Sequence, residues 1–304
     1  MTLEELKQRQ SWTFDQKLDH AVATVENFFS RLDGRCFVSF SGGKDSTVLL
    51  HLVRRFVDKN CPAVFCNTGA EYPDVVNFVH SFDNVIIIKP KQTFKEVIEQ
   101  RGFPLISKET ARYIRQARHT KSEKLRELRL HQNPKVGKRL GFIPKKWQFL
   151  VQKKFDVSEE CCEVLKKRPF RKFCKETKLR PLIATTVDES HLRMEAYIRR
   201  GGCSTFAENK EASYPLSIFS ESDIWKYIRK FDLRLCDLYS KGFARTGCMA
   251  CGFGAHINKD RFFLLNRTCP RVAKKILSYE NHKTKYKDAL LLCGVDLPAE
   301  LRDI

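Results

Sequence analysis

Two apolar runs, Cys36-Phe37-Val38-Ser39-Phe40 and Thr47-Val48-Leu49-Leu50-His51-Leu52-Val53, are joined by Ser41-Gly42-Gly43-Lys44-Asp45-Ser46. The first run has strand character. The second reads as a helix with apolar residues on more than one face. A strand that turns through two glycines into a helix leaves free backbone N–H groups at the positive end of the helix dipole, and glycine lets an anion come close to them. Lys44 adds a cation, while Asp45 and Ser46 suit a metal ion or a helix cap. The spacing is not the Walker type, which needs four residues between its first glycine and Gly-Lys-Ser/Thr. A glycine turn with ordinary capping is the plain alternative; agreement of strand, loop and helix favours the anion site.

The rest of the chain repeats this alternation. Leu18 to Leu32 reads as a leading helix, with Val22, Val25, Phe28 and Phe29 on one side. Ala63-Val64-Phe65-Cys66 and Val85-Ile86-Ile87-Ile88 read as the second and third strands, and Leu182 to Val187 as the fourth. Helices are expected from Tyr72-Pro73-Asp74, over Phe94–Gln100 and Glu189–Arg199, and over Asp223–Phe231, the last opened by Ser220. Nearly all-apolar strands separated by helices predict an α/β fold, a doubly wound, mainly parallel sheet covered on both faces. Ligands of such sheets sit at the carboxyl ends of the strands, which gathers the glycine loop, Asn67-Thr68-Gly69 and the segment after Val187. The expected organisation is an N-terminal helical segment (1–32), an α/β domain (33–255) that carries the anion site and a basic helical insertion at about 108–160, and a small helical C-terminal tail (256–304).

The charge is unusual. The 304 residues carry 56 Lys and Arg against 36 Asp and Glu, a net of +20 that favours a polyanionic partner. Residues 108–154 alone hold 15 Lys or Arg and three acids, Glu109, Glu123 and Glu127. Arg112, Arg115 and Arg118 recur every third residue and share a helix face, and Asn133-Pro134 and Ile143-Pro144 break the segment into pieces. Phe142, Trp147, Phe149 and Phe155 lie among these cations, a mixture that suits phosphate contact with base stacking. A solvated basic helix with its aromatics in the core is the bland reading. No stretch is long and apolar enough to span a bilayer, and the first residues lack the layout of a secretory signal, so a cytoplasmic location without membrane attachment is the default.

Twelve cysteines are many for such a chain, and their irregular spread does not suit a disulfide scaffold. Cys36 and Cys66 sit in strand-like runs as small hydrophobes. The informative set is Cys161-Cys162 with Cys248-Met249-Ala250-Cys251, four thiols that suit zinc or an iron–sulfur cluster, with structural thiols as the third option. Cys174 and Cys203 are held in reserve as core thiols, substitute ligands or sulfur carriers.

Ser41 to Ser46 resembles the PP-loop of the ATP pyrophosphatase superfamily (adenine nucleotide alpha hydrolase-like). Cys161-Cys162 followed by Lys166-Lys167-Arg168-Pro169 is similar to the double-cysteine motif of iron–sulfur adenylylsulfate reductases, and Leu238-Tyr239 through Gly247-Cys248 and Cys251 to their later signature. Asn67-Thr68-Gly69-Ala70-Glu71-Tyr72-Pro73, Asp188-Glu189-Ser190-His191-Leu192-Arg193 and Asp223 to Ile228 match further segments. From about Phe37 to Gly254 the chain therefore resembles the phosphoadenosine/adenosine phosphosulfate reductase branch. By that resemblance ATP or an adenylyl sulfonucleotide, with Mg²⁺, would be bound by Ser41, Gly42, Gly43, Lys44, Asp45, Ser46, Asn67, Thr68 and Glu71. Lys44, Asp45 and Arg193 would act in catalysis. Cys161, Cys162, Cys248 and Cys251 would hold a [4Fe-4S] cluster.

The resemblance breaks in two places. The reductases end in a Glu-Cys-Gly-(Leu/Ile)-His tail whose thiolate attacks the sulfonucleotide; here Cys293-Gly294 follows Leu292 and no histidine comes after. The basic stretch also exceeds what a small nucleotide needs. Together these point to ATP-dependent adenylation of a nucleic acid, tRNA or DNA, for sulfur insertion, with a sulfur- or electron-donor protein as partner and a homodimer left open. Sulfite-releasing sulfonucleotide reduction and a non-catalytic nucleotide or nucleic-acid binding module are the alternatives.

Overall fold

The computed structural model describes residues 1–131 and 141–303. The break expected at Asn133-Pro134 and the cations Lys135, Lys138 and Arg139 lie outside the described residues. Two compact units emerge: one from Met1–Asn67, Glu71–Ile88 and Phe170–Thr246, the other from Thr68–Ala70, Lys89–Pro169 and Gly247–Ile304.

The first unit is built on a six-stranded sheet of β1 (Cys36–Ser39), β2 (Ala63–Cys66), β3 (Val85–Ile88), β4 (Arg180–Ile183), β5 (Ser204–Thr205) and β6 (Ala212–Ser213). The spatial order is β3-β2-β1-β4-β6-β5, parallel except for the β5–β6 pair. The sheet is thus mostly parallel, with flanking helices, as the alternating apolar runs predict. From β1 the chain moves to β2 on one side, and β4 pairs on the other, so β1 ends at the topological switch point where such sheets bind ligands. The short strands β5, at the edge, and β6, between β4 and β5, were not legible, since two-residue strands carry no periodicity.

Seven helices lie wholly or, for α5 from Phe170 on, mostly in this unit: α1 (Leu3–Gln10), α2 (Phe14–Arg31), α3 (Lys44–Phe56), α4 (Pro73–His80), α5 (Arg168–Thr177), α6 (His191–Arg200) and α7 (Glu221–Lys230). α2 starts earlier than its apolar pattern suggests because Thr13 and Gln16 close a capping box. The fourth strand ends at Ile183, short of the expected Val187. Thr186 instead caps a 3₁₀ turn, Val187–Glu189, and Ser190 caps α6. Phe37 of β1 stacks on Phe170 and meets Phe173 edge-on, which docks α5 against the sheet.

A buried ion pair joins α2 to α7. Lys17 Nζ lies 2.7 Å from Asp223 Oδ2, with the side chains 6% and 13% exposed. Burial would raise the Asp223 carboxyl, but hydrogen bonds from Lys17 and from Ser220 outweigh it and hold the group below the usual range. Removing one partner of such a pair leaves an uncompensated charge, so Lys17→Met is expected to destabilise the protein by about 3 kcal/mol in urea unfolding. Because the folded pKa of Asp223 is depressed, its contribution is present above the unfolded value and lost as pH falls through the folded one. The variant's acid-side stability loss should therefore be smaller than the wild type's.

The second unit is mainly helical. Leu105–Ile106 pairs in parallel with Gly252–Phe253, and Phe103 bridges Val157. Asn281 is 2% exposed and ties three segments together: it donates to Ile98 O and Glu99 O and accepts from Asp156 N. Fully buried Tyr286 donates to Ala250 O and stacks on Phe103 with ring centroids 5.0 Å apart. Residues after Gly247 therefore form one body with the basic segment and both cysteine pairs. Among the described residues no helix is long and apolar enough to cross a membrane.

Candidate functional site

The loop between β1 and α3 is pinned by its own side chains. Ser46 Oγ donates to Gly43 O (2.9 Å), as does Thr47 Oγ1 (3.1 Å), and Ser41 N donates to Ser46 Oγ (3.2 Å). Gly42 has φ +71°, a left-handed turn that glycine adopts without strain, and a Cβ there would lie 2.9 Å from Val75 of α4. Gly43 is the N-cap of α3 and supplies no side-chain cap, so the first turn of the helix keeps its anion-binding character. A Cβ on Gly43 would lie 2.6 Å from Thr246 Oγ1.

A cavity of roughly 400 Å³ opens over this loop, lined among others by Ser41, Gly43–Ser46, Arg193, Tyr239 and Arg245. Lys44 is largely buried and ion-paired with Asp45 and Glu221, each at 3.4 Å. Burial would lower its ammonium; Asp45, Tyr239 and Glu221 outweigh that and hold it above the usual lysine value. Lys44 is thus a fixed positive charge at neutral pH. Arg193 reaches the same cavity and pairs with Glu189 at 3.1 Å. The expected set divides here. Ser41, Gly43, Lys44, Asp45, Ser46 and Arg193 meet at the cavity, whereas Gly42 packs against α4. Thr68 and Glu71 are buried, and Asn67 extends the β2 ladder by donating to Ile88 O, outside that lining.

Sequence reasoning missed Tyr239 and Thr246. The Tyr239 hydroxyl accepts the backbone N–H of Lys44 at 2.8 Å. Burial raises its own pKa, partly offset by the Lys44 N–H, the Lys44 charge and Thr246. Both residues stand in the segment leading to Cys248, where attention to the thiols concealed the hydroxyls. Glu221, in the first turn of α7, joins them at the cavity through its pairing with Lys44, and no local pattern singles it out.

All four candidate cluster cysteines belong to the second unit. Cys161 is hydrogen-bonded to Cys162 and feels Cys251 and Cys248; fully buried Tyr286 lies in the field of Cys251, Cys161 and Cys248. The bond to Cys162, together with burial, pushes the Cys161 thiol up. That same bond, helped by Lys108 and Lys166 against burial, pulls Cys162 down. Four thiols in one neighbourhood, one inclined to thiolate, are a donor set that suits iron or zinc. Among the described residues no three His, Cys, Asp or Glu side chains stand in metal-holding geometry, so the thiols are gathered without being closed around a point. The reserve thiols are quiet. Burial raises Cys174 and Cys203, and Cys293 is 2% exposed with its thiol pushed up to about 12 by burial.

The basic segment is less free than its composition suggests. Arg115 forks onto Glu159 at 2.6 and 3.0 Å, and Arg118 bonds Lys153 O, Phe155 O and Asp156. Of the expected arginine row only Arg112 stays at the surface, 48% exposed and weakly paired with Glu109. The neutralising acids lie just beyond Lys154, which is why a count stopping there overstates the charge.

A glycine loop and uncapped helix at the switch point of a parallel sheet define an α/β nucleotide-binding protein of the PP-loop class. The phosphoadenosine phosphosulfate reductase domain matches residues 35–127 and 105–252, and the chain belongs to that family, whose members are enzymes that bind adenine nucleotides. Two uncharacterised proteins of Methanocaldococcus jannaschii are 27% and 23% identical over 70% and 76% of this chain. The chain spans only 40% and 39% of their lengths. A crystal structure of phosphoadenylyl-sulfate reductase from Candida auris, in a phosphate complex, is similar at 13% identity and a TM-score of 0.42, covering 82% of this chain and 96% of that one.

Gly43→Ala would drive a methyl group into Thr246 at the mouth of the phosphate cradle. Adenine-nucleotide affinity measured by calorimetry should fall by about 100-fold or more, equivalent to roughly 3 kcal/mol, with the thermal midpoint nearly unchanged.

Proposed function

We propose that this chain uses ATP to adenylate a nucleic acid, tRNA or DNA, so that sulfur can replace the activated oxygen. The observation that carries this reading over sulfonucleotide reduction is the state of Cys293. It is the nearest counterpart of the reductases' nucleophile, yet it is buried and its thiol is held near pH 12, so almost none of it is thiolate at neutral pH. The cavity over the glycine loop serves either chemistry.

In the proposed reaction the start of α3 and Lys44 bind the phosphate chain, and Arg193 balances its remaining charge. Asp45 and Ser46 would hold Mg²⁺, which would neutralise the phosphates when bound. An oxygen of the nucleic acid attacks the α-phosphorus; the new P–O bond forms as the bond to the β-phosphate oxygen breaks, and pyrophosphate leaves with that electron pair. Lys44 keeps its proton throughout and acts by charge. A hydrosulfide equivalent from a donor protein then displaces AMP from the activated centre. Cys161, Cys162, Cys248 and Cys251 would hold a [4Fe-4S] cluster, which would supply a thiolate-bound iron centre for sulfur or electron handling.

Sulfonucleotide reduction is the second reading, favoured by the family itself. The two separate on a pair of variants. With ATP and mixed nucleic acids, Lys44→Ala should abolish pyrophosphate release and thionucleotide formation while retaining the fold, and Cys293→Ser should leave both intact. Thioredoxin-dependent sulfite release that disappears in Cys293→Ser would overturn the proposal in favour of the reductase. Anaerobically purified protein should also be brown with a broad visible absorption band, and replacing Cys161, Cys162, Cys248 or Cys251 by Ser should bleach it. A colourless protein with one equivalent of zinc would remove the iron–sulfur assignment.

A further inference from the structure

A short 3₁₀ helix in the second unit, Lys145–Gln152, is held down on one side and left open on the other. Leu150 and Ile143 are fully buried, and Gln148 Nε2 donates to Leu130 O (2.6 Å) and Ile143 O (3.1 Å). Trp147 and Phe149 are not part of that anchor. Phe149 is 36% exposed and Trp147 is half-buried, with ring centroids 6.4 Å apart. Lys146 Nζ stands over the Trp147 ring, 5.1 Å from its centroid, and Lys153 Nζ over the Phe149 ring, 5.7 Å from its centroid, each on one face only. Trp147 also meets His256 edge-on at 5.3 Å, which fixes the indole. Residues 141–154 carry four lysines and no acid.

We infer that Trp147 and Phe149 form a stacking platform for unpaired nucleotides, with the neighbouring lysines taking the phosphates. This rests on the nucleic-acid reading above and adds the form of substrate it selects. Paired aromatic rings, each with a flexible lysine ammonium over one face, match a nucleotide: its base stacks on a ring as the lysine swings to the anionic phosphate. An acidic peptide would use the cations but leave the rings without a partner. A duplex would offer phosphates only, because its base faces are covered. The ring geometry argues the same way: the two planes are tilted 44° to each other with centroids 6.4 Å apart, so neighbouring bases seated on them must leave the parallel stack of a helix. An unpaired loop or single strand permits that.

The test uses the full chain with fluorescein-labelled single strands, RNA and DNA, on the order of 20 nucleotides, against duplexes of the same sequence. Single strands should bind at least about tenfold more tightly than duplex, since each stacked base is worth roughly 5- to 100-fold. Phe149→Ala should lose that preference without changing the salt dependence, whereas Lys146→Gln with Lys153→Gln should flatten the salt dependence. A Trp12→Phe, Trp225→Phe protein, in which Trp147 is the sole indole, reports stacking directly: single strands should quench its fluorescence and duplex should not. Equal binding of both forms, with no quenching and no effect of Phe149→Ala, would overturn the platform and leave nucleic-acid binding standing. Failure to bind any nucleic acid would overturn both.

Discussion

The N-terminus of α3 governs the chemistry available to this protein. Its first turn has no side-chain cap, and the loop before it is locked by Ser46 and Thr47 bonding back to Gly43 O. A locked loop with unsatisfied helix amides is preorganised for an anion, so little reorganisation is needed when a phosphate arrives. The remaining features of the first unit follow from that requirement. β1 must be central for the loop to open at a switch point, and Gly42 must take a left-handed turn against α4. Gly43 must lack a Cβ because Thr246 stands over it.

Tyr239 modifies this account. Its hydroxyl already occupies the Lys44 amide, one of the donors a phosphate would use. The phenol is neutral at ordinary pH, since burial raises its pKa, and a neutral hydroxyl is a weaker acceptor than a phosphate oxygen. An incoming phosphate therefore competes favourably for that N–H. Until then Tyr239 keeps a buried amide satisfied, which an empty cradle would otherwise leave at a cost of about 1–3 kcal/mol.

How much of this was legible depends on the range of the interaction. β1, β2 and β3 were readable because nearly all-apolar runs flanked by turn residues have few other interpretations. The loop was readable because its glycines, lysine and flanking elements are contiguous. The fourth strand was drawn too long, since hydrophobicity alone does not reveal that Thr186 prefers to cap a turn. The partners that complete the cavity, Glu221, Tyr239 and Thr246, lie far from the loop in sequence, and no local pattern announces them. That Cys161, Cys248 and Cys251 all act on the buried Tyr286 was not legible, because that tyrosine lies far from them in sequence, in the helical tail.

Charge shows the same limit from the other side. A run of Lys and Arg reads as a binding surface until the fold reveals which cations are committed internally. Arg115 and Arg118 build the second unit by bonding Glu159, Asp156 and nearby carbonyls, interactions that hold the helix Lys108–His119 against the segment around residues 153–160. Guanidinium groups suit that task because their planar forks satisfy several acceptors at once. Lysines, compact and strongly hydrated, remain outside at Lys121, Lys124, Lys145, Lys146 and Lys154. The surface charge is therefore mostly ammonium, mobile and without directional preference, which suits tracking a phosphate backbone better than reading base edges. In the proposed reaction, selectivity for one nucleic acid over another would then come from shape and from the exposed aromatic rings rather than from the number of positive charges.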